Sequence, residues 1–468
     1  MNLKLEIKSL MEELDRRHSG AYPWKSETDI PDIITASNGQ KRFFQEKAKV
    51  ALQNISQIYY SNRSSDLPRI ELDEYVGIVC QAAADMHASS EFSEFNANCE
   101  KNQNDLIQIL KKRVEARVAS NIKAYTHYFP AWNIVSEEGS PFHIGPVTII
   151  NRLDWIKSVD FSENAKKIYR NQQEENNSWK KNLIEALETK NGTTSLKGLA
   201  FGVYSAIIDC TSLIKVTVCG YEQNFSRKLA KLVAKTALDA ISLALGDPRL
   251  FFQQALHEER LPPRMTKSLL ESDGYLWVSG FSLGKRSSLM SADQVRERLI
   301  DCAEILPAFG MILEGLLNPS NHKYPKLANR WATALDWFGE ASRDENDAIA
   351  LTKFGTCLDV LSCGGRNKGI VDMLVNLMDV NETTEVVGGN LPRTLSQLVG
   401  DIYDSGRSKI LHGTSCDRLK SFTVVRRQAA ELAKLALIET ATRLQNYNGQ
   451  DTENAFRTIS SNSWKDST

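Results

Sequence analysis

No CxxC pair occurs among the eight cysteines, which stand at 80, 99, 210, 219, 302, 357, 363 and 416. That scatter argues against a zinc ribbon or a thioredoxin-like site. It points instead to buried free thiols in a reducing cytoplasm. Cys210 and Cys219 taken with His143 show no recognisable metal spacing either. Charge of one sign is also missing: 57 basic residues balance 58 acidic ones, for a net charge of −1. A uniformly basic nucleic-acid coat is thereby excluded, but a local basic cleft is not, because fields follow distribution rather than sum. Long apolar runs are absent too. The most apolar long helix candidate, 298–317, contains Arg298, Asp301, Glu304, Pro307 and Glu314, so no membrane span is expected there. The opening segment MNLKLEIKSLMEELDRRHSG is charged throughout and lacks the apolar core of a signal peptide. No internal repeat is evident.

What is present is a chain of 468 residues, 42% hydrophobic and 25% charged, the composition of a soluble globular protein with more than one core. The expected class is mainly α, in three regions. Residues 1–135 read as helical. Ser37 or Asn38 is the expected cap of a helix running to Tyr60, where Phe44, Ala48, Ala51, Leu52, Ile55 and Ile58 fall near helical spacing. Further helices are expected at 71–88 and 103–126, with a polar loop at 89–102.

Residues 136–320 read as α+β and suit a sensing or regulatory part. PFHIGPVTII (141–150) reads as a strand or hairpin edge, and AFGVYSAIIDCTSLIKVTVCGYE (200–222) and DGYLWVSGFSL (273–283) are rich in β-formers. Helices are expected at 160–190, 224–246 and 292–317. Residues 321–447 turn almost wholly helical. The stripe Leu327, Trp331, Leu335 and Phe338, the stop at Gly364-Gly365 and a long last helix at 418–446 describe an antiparallel up-down bundle. Residues 448–468 read as a frayed polar tail.

Among the seven histidines, His412 stands out because Gly413, a natural helix C-cap residue, follows it. A helix C-terminus, with its partial negative charge, suits a protonated imidazole. Arg407 lies five residues earlier, which on an ideal helix is about 140° around the axis. One straight helix therefore cannot focus both side chains on one atom. Either a glycine, Gly406 or Gly413, distorts the helix, or a second copy of the domain completes the site.

DIYDSGRSKILHG (401–413) matches the R-x4-H signature of the HEPN ribonuclease superfamily and most resembles its Apea-like branch. ATALDWFGEASRDENDAIALTKFGTCLDVLSC (332–363) is similar to that family's first two helices, and VRRQAAELAKLALIETATRL (425–444) to its last. The resemblance covers roughly 325–446. It implies a C-terminal HEPN-type antiparallel bundle and a metal-independent endoribonuclease needing no cofactor. It further implies a homodimer in which Arg407 and His412 of two chains share one cleft.

The chemistry fits those residue types. RNA supplies its own nucleophile, the 2′-OH. Histidine serves as general acid or base, and arginine offers a planar fork to phosphate oxygens. A 2′,3′-cyclic phosphate and a 5′-OH are the implied products. A toxin-like or antiviral defence role is implied as well, with an unknown trigger and no membrane partner. The alternative is a non-catalytic HEPN-type module for RNA or protein binding and dimerisation.

Around the pair, Tyr403, Asp404 and Lys409 match the motif's surroundings, and Ser408 stands where many members carry Asn, Asp or His. Asp404 either orients Arg407 or solvates the helix face. Asp359 stands where the branch usually has Glu. Lys409, with Arg366 and Lys368 in the loop after Gly364-Gly365, is a candidate phosphate contact. Three other features are weaker. GFSLGKRSS (280–288) has one residue too few between its glycines for a phosphate loop. Tyr125, His127, Tyr128, Phe129 and Trp132 either stack bases or pack between domains. Arg426-Arg427 either borders the cleft or covers the bundle.

Overall fold

The structure is a computed structural model and describes residues 2–18, 31–63, 69–89, 100–133, 139–168, 178–189, 196–259, 269–278, 290–389, 391–414, 417 and 419–459. The protein is mainly helical, with a five-stranded antiparallel sheet in its middle region and a helical C-terminal part. It divides into two compact units, Met1–Thr126 with Thr217–Leu229, and His127–Val216 with Ala230–Thr468. The boundary expected near 320 is not a boundary between units.

In the first unit, α1 (Leu3–His18), α2 (Glu46–Ser61), α3 (Leu72–Ala88) and α4 (Glu100–Asn121) close around one core. The charged opening segment is α1. Its Ile7, Leu10, Met11 and Leu14 recur at three- and four-residue spacing and are buried. Ser37 and Asn38 do not cap α2. They lie in the turn of a hairpin joining β1 (Asp32–Thr35) to β2 (Lys41–Phe44), with Gly39 left-handed at φ 83°. Ser37 donates its backbone N–H to Asp85 Oδ1 at 2.7 Å, and Arg117 pairs with the same carboxylate. That anchor takes Ser37 away from a helix start, and α2 begins only at Glu46.

The sheet runs in the order β4 (Phe142–Ile144), β5 (Val147–Asn151), β6 (Ser212–Tyr221), β3 (Lys123–Trp132) and β7 (Ala255–Leu256), and the second unit holds β4, β5, β7, β3 from His127 and β6 up to Val216. The Gly145-Pro146 turn joins β4 to β5. A Cβ on Gly145 would collide with the carbonyl oxygen of Gly310, so hairpin and helix backbones meet where only two glycines fit. Short helices follow: α5 (Arg152–Ser158), α6 (Glu163–Ile168), α7 (Trp179–Thr189) and α8 (Gly198–Ile207). The helix expected over 160–190 is thus described as α6 and α7. The first half of the 200–222 segment is helix rather than strand, because Ala200, Tyr204 and Ile207 bury one helical face.

Next come α9 (Gln223–Leu245), α10 (Leu250–Gln253) and the hairpin of β8 (Leu269–Ser272) with β9 (Tyr275–Val278). The expected 292–317 helix is two, α11 (Ala292–Asp301) and α12 (Leu306–Leu317), with Pro307 in the first turn of the second.

The bundle consists of α13 (Pro325–Arg343), α14 (Asp347–Leu361), α15 (Arg366–Met378), α16 (Leu395–Ile402) and α18 (Thr423–Gln445). A two-stranded hairpin, β10 (Glu385–Val387) with β11 (Arg393–Thr394), precedes α16. The bundle core is continuous with the middle region. Phe309 of α12 packs its ring 5.2 Å from Trp331, Phe251 lies 5.5 Å from Phe338, and buried Asp239 of α9 pairs with Arg343 of α13. Those contacts explain why the parts of 136–320 that lie in the second unit share it with 321–447.

The tail is not frayed through residue 459. Phe456 and Ile459 are buried, Asp451 accepts the backbone N–H groups of Lys326 and Leu327 that open α13, and Arg457 donates to the carbonyls of Ser362, Cys363 and Gly364. The polar composition concealed this because its groups satisfy helix ends. Among the described residues no helix is long and apolar enough to cross a membrane.

Candidate functional site

The segment 401–413 is not one straight helix. After α16 the backbone opens into a π-helical turn, Tyr403–Ser408, and then closes as the short α17 (Lys409–Leu411). Bonds from i to i+5 bring a residue five positions on back past a full turn, near the face it started from. That widening lies ahead of the Arg407–His412 interval: from Ser408 on the backbone returns to α geometry, with the His412 N–H donating to the Ser408 carbonyl at 3.0 Å, so the π turn re-aims Arg407 against α14 without putting His412 on its face.

Gly406 sits at the wide turn. A Cβ there would come 2.8 Å from Leu351 Cδ2 and 3.2 Å from the Asp401 carbonyl oxygen, so the turn leans on α14 through a residue without a side chain. The end of the segment is capped as Gly413 suggested. Gly413 is left-handed at φ 66°, Gly413 N–H donates to the Ile410 carbonyl and Thr414 N–H to the Lys409 carbonyl, a Schellman closure. His412 is the cap residue and is exposed. Its ring has no hydrogen bond or ion pair among the described residues.

Arg407 is held rather than free. Its stem lies across Gly355 of α14, where a Cβ would come 3.2 Å from Arg407 Cβ. Its Nε donates to Thr356 Oγ1 at 3.2 Å, and Nη2 pairs with Asp359 Oδ2 at 3.2 Å. The guanidinium carbon lies 5.0 Å from the centroid of the Tyr403 ring, a cation–π contact. Two of five donors are thus engaged by side chains of α14.

Asp359, despite being shorter than Glu, reaches the motif. Burial pushes its carboxyl above the usual aspartate value, and the charges of Arg407 and Arg457 oppose that. Its other oxygen, Oδ1, is buried with no hydrogen-bond partner among the described residues.

The remaining expectations divide. Tyr403 joins Arg407, as above. Asp404 accepts from Asn367 Nδ2 at 2.8 Å and is not among the partners of Arg407. Ser408 is half-buried and accepts the His412 N–H through its carbonyl at 3.0 Å. Lys409 is exposed. Arg366 is exposed at the start of α15, and Lys368 turns to Asp372 at 3.4 Å. The first turn of α15 therefore touches the motif turn through Asn367, while Arg366 points away from it and is exposed.

Arg426 is committed to Asp347 and to the carbonyls of Ala341 and Asp344, whereas Arg427 is exposed. Tyr128 packs edge-on against Trp155 at 5.7 Å, a contact inside the second unit. The 280–288 phosphate-loop candidate lies outside the described residues.

The thiol expectation holds only in part. The six described cysteines are free, but Cys219 is exposed and Cys80, Cys302 and Cys363 are half-buried. Burial raises Cys210 to about 11, a poor metal ligand. Among the described residues no cluster of His, Cys, Asp and Glu could hold a metal ion.

Sequence reasoning missed Thr356, Gly355, Asn367 and Arg457. The signal available for Thr356 was its three-residue spacing from Asp359, which puts both on one face of α14. Comparison with family models, with curated proteins and with solved structures finds no match to this chain.

Proposed function

We propose that the protein is a metal-independent endoribonuclease of the HEPN type, acting in the cytoplasm as a homodimer through its C-terminal bundle. The single observation that carries this reading is the π turn at Tyr403–Ser408, which gives the R-x4-H segment a non-straight backbone around Arg407. Such turns inside α-helices recur at functional sites. Exposure of His412 at a capped helix end leaves its ring open to a substrate.

In the proposed reaction the 2′-oxygen of RNA attacks the adjacent phosphorus as its proton passes to a base. The P–O5′ bond breaks and the 5′-oxygen takes a proton. His412 serves one or both proton transfers, and Arg407, with His412 of a second chain, faces the charged phosphoryl group. An unrestrained ribonuclease poisons its own cell. The preceding residues 1–320 then form the restraining and trigger-sensing part of a toxin-like or antiviral device.

A second reading, a non-catalytic binding and dimerisation module, is favoured by the engagement of Arg407 with Thr356 and Asp359, which suits a residue that staples the turn to α14. The test is RNA cleavage by the purified full chain in EDTA, with end-group analysis, for wild type, His412→Ala and Arg407→Lys. Cleavage to 2′,3′-cyclic phosphate and 5′-OH ends, lost in both variants with the fold retained, supports the enzyme. Absence of cleavage with RNA binding retained in all three supports the module.

A further inference from the structure

The second unit holds a cavity of about 800 Å³ away from the R-x4-H turn, between the end of α9 and the faces of α11, α13, α14 and α18. Its apolar surfaces are Phe252 and Phe354. Its cations are Arg249, Arg298, Arg426 and Arg427. Two of these are spoken for: Arg249 pairs with Asp247 at 2.9 Å, and Arg426 pairs with Asp347. Arg298 gives one donor, Nη1, to the Leu245 carbonyl at 3.0 Å, and forms no ion pair with a carboxylate among the described residues. Arg427 forms neither a hydrogen bond nor an ion pair among the described residues. One carboxylate of the lining, Glu431, is likewise without an ion pair there.

We propose that this cavity binds a nucleotide, a flat base with a short phosphate chain. The volume is that of a small-molecule site. Planar guanidinium forks at Arg298 and Arg427 suit phosphate oxygens. Phe252, half-buried in the lining, offers an aromatic surface to a base, whereas Phe354 is buried behind it and packs edge-on against Phe338 at 5.2 Å.

The cavity shares α14 with the motif. Phe354 lines the cavity, and the next two residues, Gly355 and Thr356, carry the stem and Nε of Arg407. A bound nucleotide thus presses on the helix that holds Arg407. The binding itself does not depend on the ribonuclease reading.

The experiment is isothermal titration of the full chain with ATP, adenosine and inorganic pyrophosphate, all in EDTA. Wild type is expected to bind ATP with a dissociation constant in the micromolar range. Arg427→Glu alters an exposed residue and should leave the fold intact. It is expected to weaken ATP about tenfold or more. Phe252→Ala should weaken ATP and adenosine but not pyrophosphate.

The proposal is overturned if wild type gives no binding with ATP. It is equally overturned if Arg427→Glu binds ATP as tightly as wild type, or if pyrophosphate binds as well as ATP and Phe252→Ala changes nothing. An oligoribonucleotide that binds through Arg427 where ATP does not would assign the recess to RNA instead. Because the readout is heat of binding, His412→Ala is expected to behave as wild type, whatever the fate of the cleavage claim.

Discussion

The pair of Asp239 on α9 and Arg343 on α13 should behave as an all-or-none device. Asp239 is 1% exposed, and Arg343 adds a bond from Nε to the Phe251 carbonyl at 3.0 Å and a contact from Nη1 to Glu340 at 3.4 Å. Gly339 makes room for it, since a Cβ there would come 2.7 Å from Asp239 Oδ2 and 2.9 Å from Arg343 Nη1. Arg343→Met keeps most of the stem and strands a buried carboxylate. Removing one partner of a buried pair costs about 3–5 kcal/mol, while replacing both with apolar groups is close to neutral. At about 2 °C per kcal/mol for a unit of this size, Arg343→Met or Asp239→Ala alone should lower the melting temperature by roughly 6–10 °C. Asp239→Leu with Arg343→Met should recover most of that loss. Differential scanning fluorimetry of the four proteins reads the cycle. Additive losses in the double variant, or single losses below about 2 °C, would refute the reasoning, and with it the claim that the middle region and the bundle share one core.

Three further outcomes follow from the site. Gly406→Ala places a Cβ 2.8 Å from Leu351. In an open helix the change would stabilise by about 1 kcal/mol, but overpacking costs about 1–3 kcal/mol, so a net loss is expected in urea unfolding. Arg457→Ala removes donors to the carbonyls of Ser362, Cys363 and Gly364, and a loss of about 3 kcal/mol is expected, measured by the same unfolding. Asp359→Asn tests pH dependence. Burial raises the folded Asp359 carboxyl above 3.8, so its contribution to stability is fullest below that value and is lost as pH rises through the raised one. The melting temperature of the variant minus that of wild type should therefore climb as pH rises from below 3.8 through the raised value, and a falling difference would contradict the assigned cause.

Much of the bundle was legible because its signals are local. The stripe of Leu327, Trp331, Leu335 and Phe338 is buried on α13, and Gly364 and Gly365 end α14 with φ of 73° and 81°. Gly413 closes the motif segment with the backbone its position implied. What escaped was set by partners distant in sequence. Ser37 has the chemistry of a helix cap, yet Asp85, 48 residues away, claims it for a hairpin. Asp451 and Arg457 look like tail polarity until the open ends of α13 and α14 are seen beside them. A helix distortion at Gly406 is one of the options that 401–413 itself offers, but its form, a π turn set against Leu351 of another helix, is not encoded in any periodicity there. Asp359, singled out by resemblance, does meet Arg407, and Asn367, which carries no comparable signal in the sequence, meets Asp404.

The central claim is cleavage by a paired Arg407 and His412, and one measurement addresses it most directly. Two inactive variants, His412→Ala and Arg407→Lys, are mixed, and RNA cleavage is followed in EDTA. If two chains build each site, mixing should restore part of the wild-type activity, because some mixed dimers hold one intact Arg407 and one intact His412 in the same cleft. Wild-type cleavage with no recovery on mixing, although the variants exchange partners, would contradict the composite site.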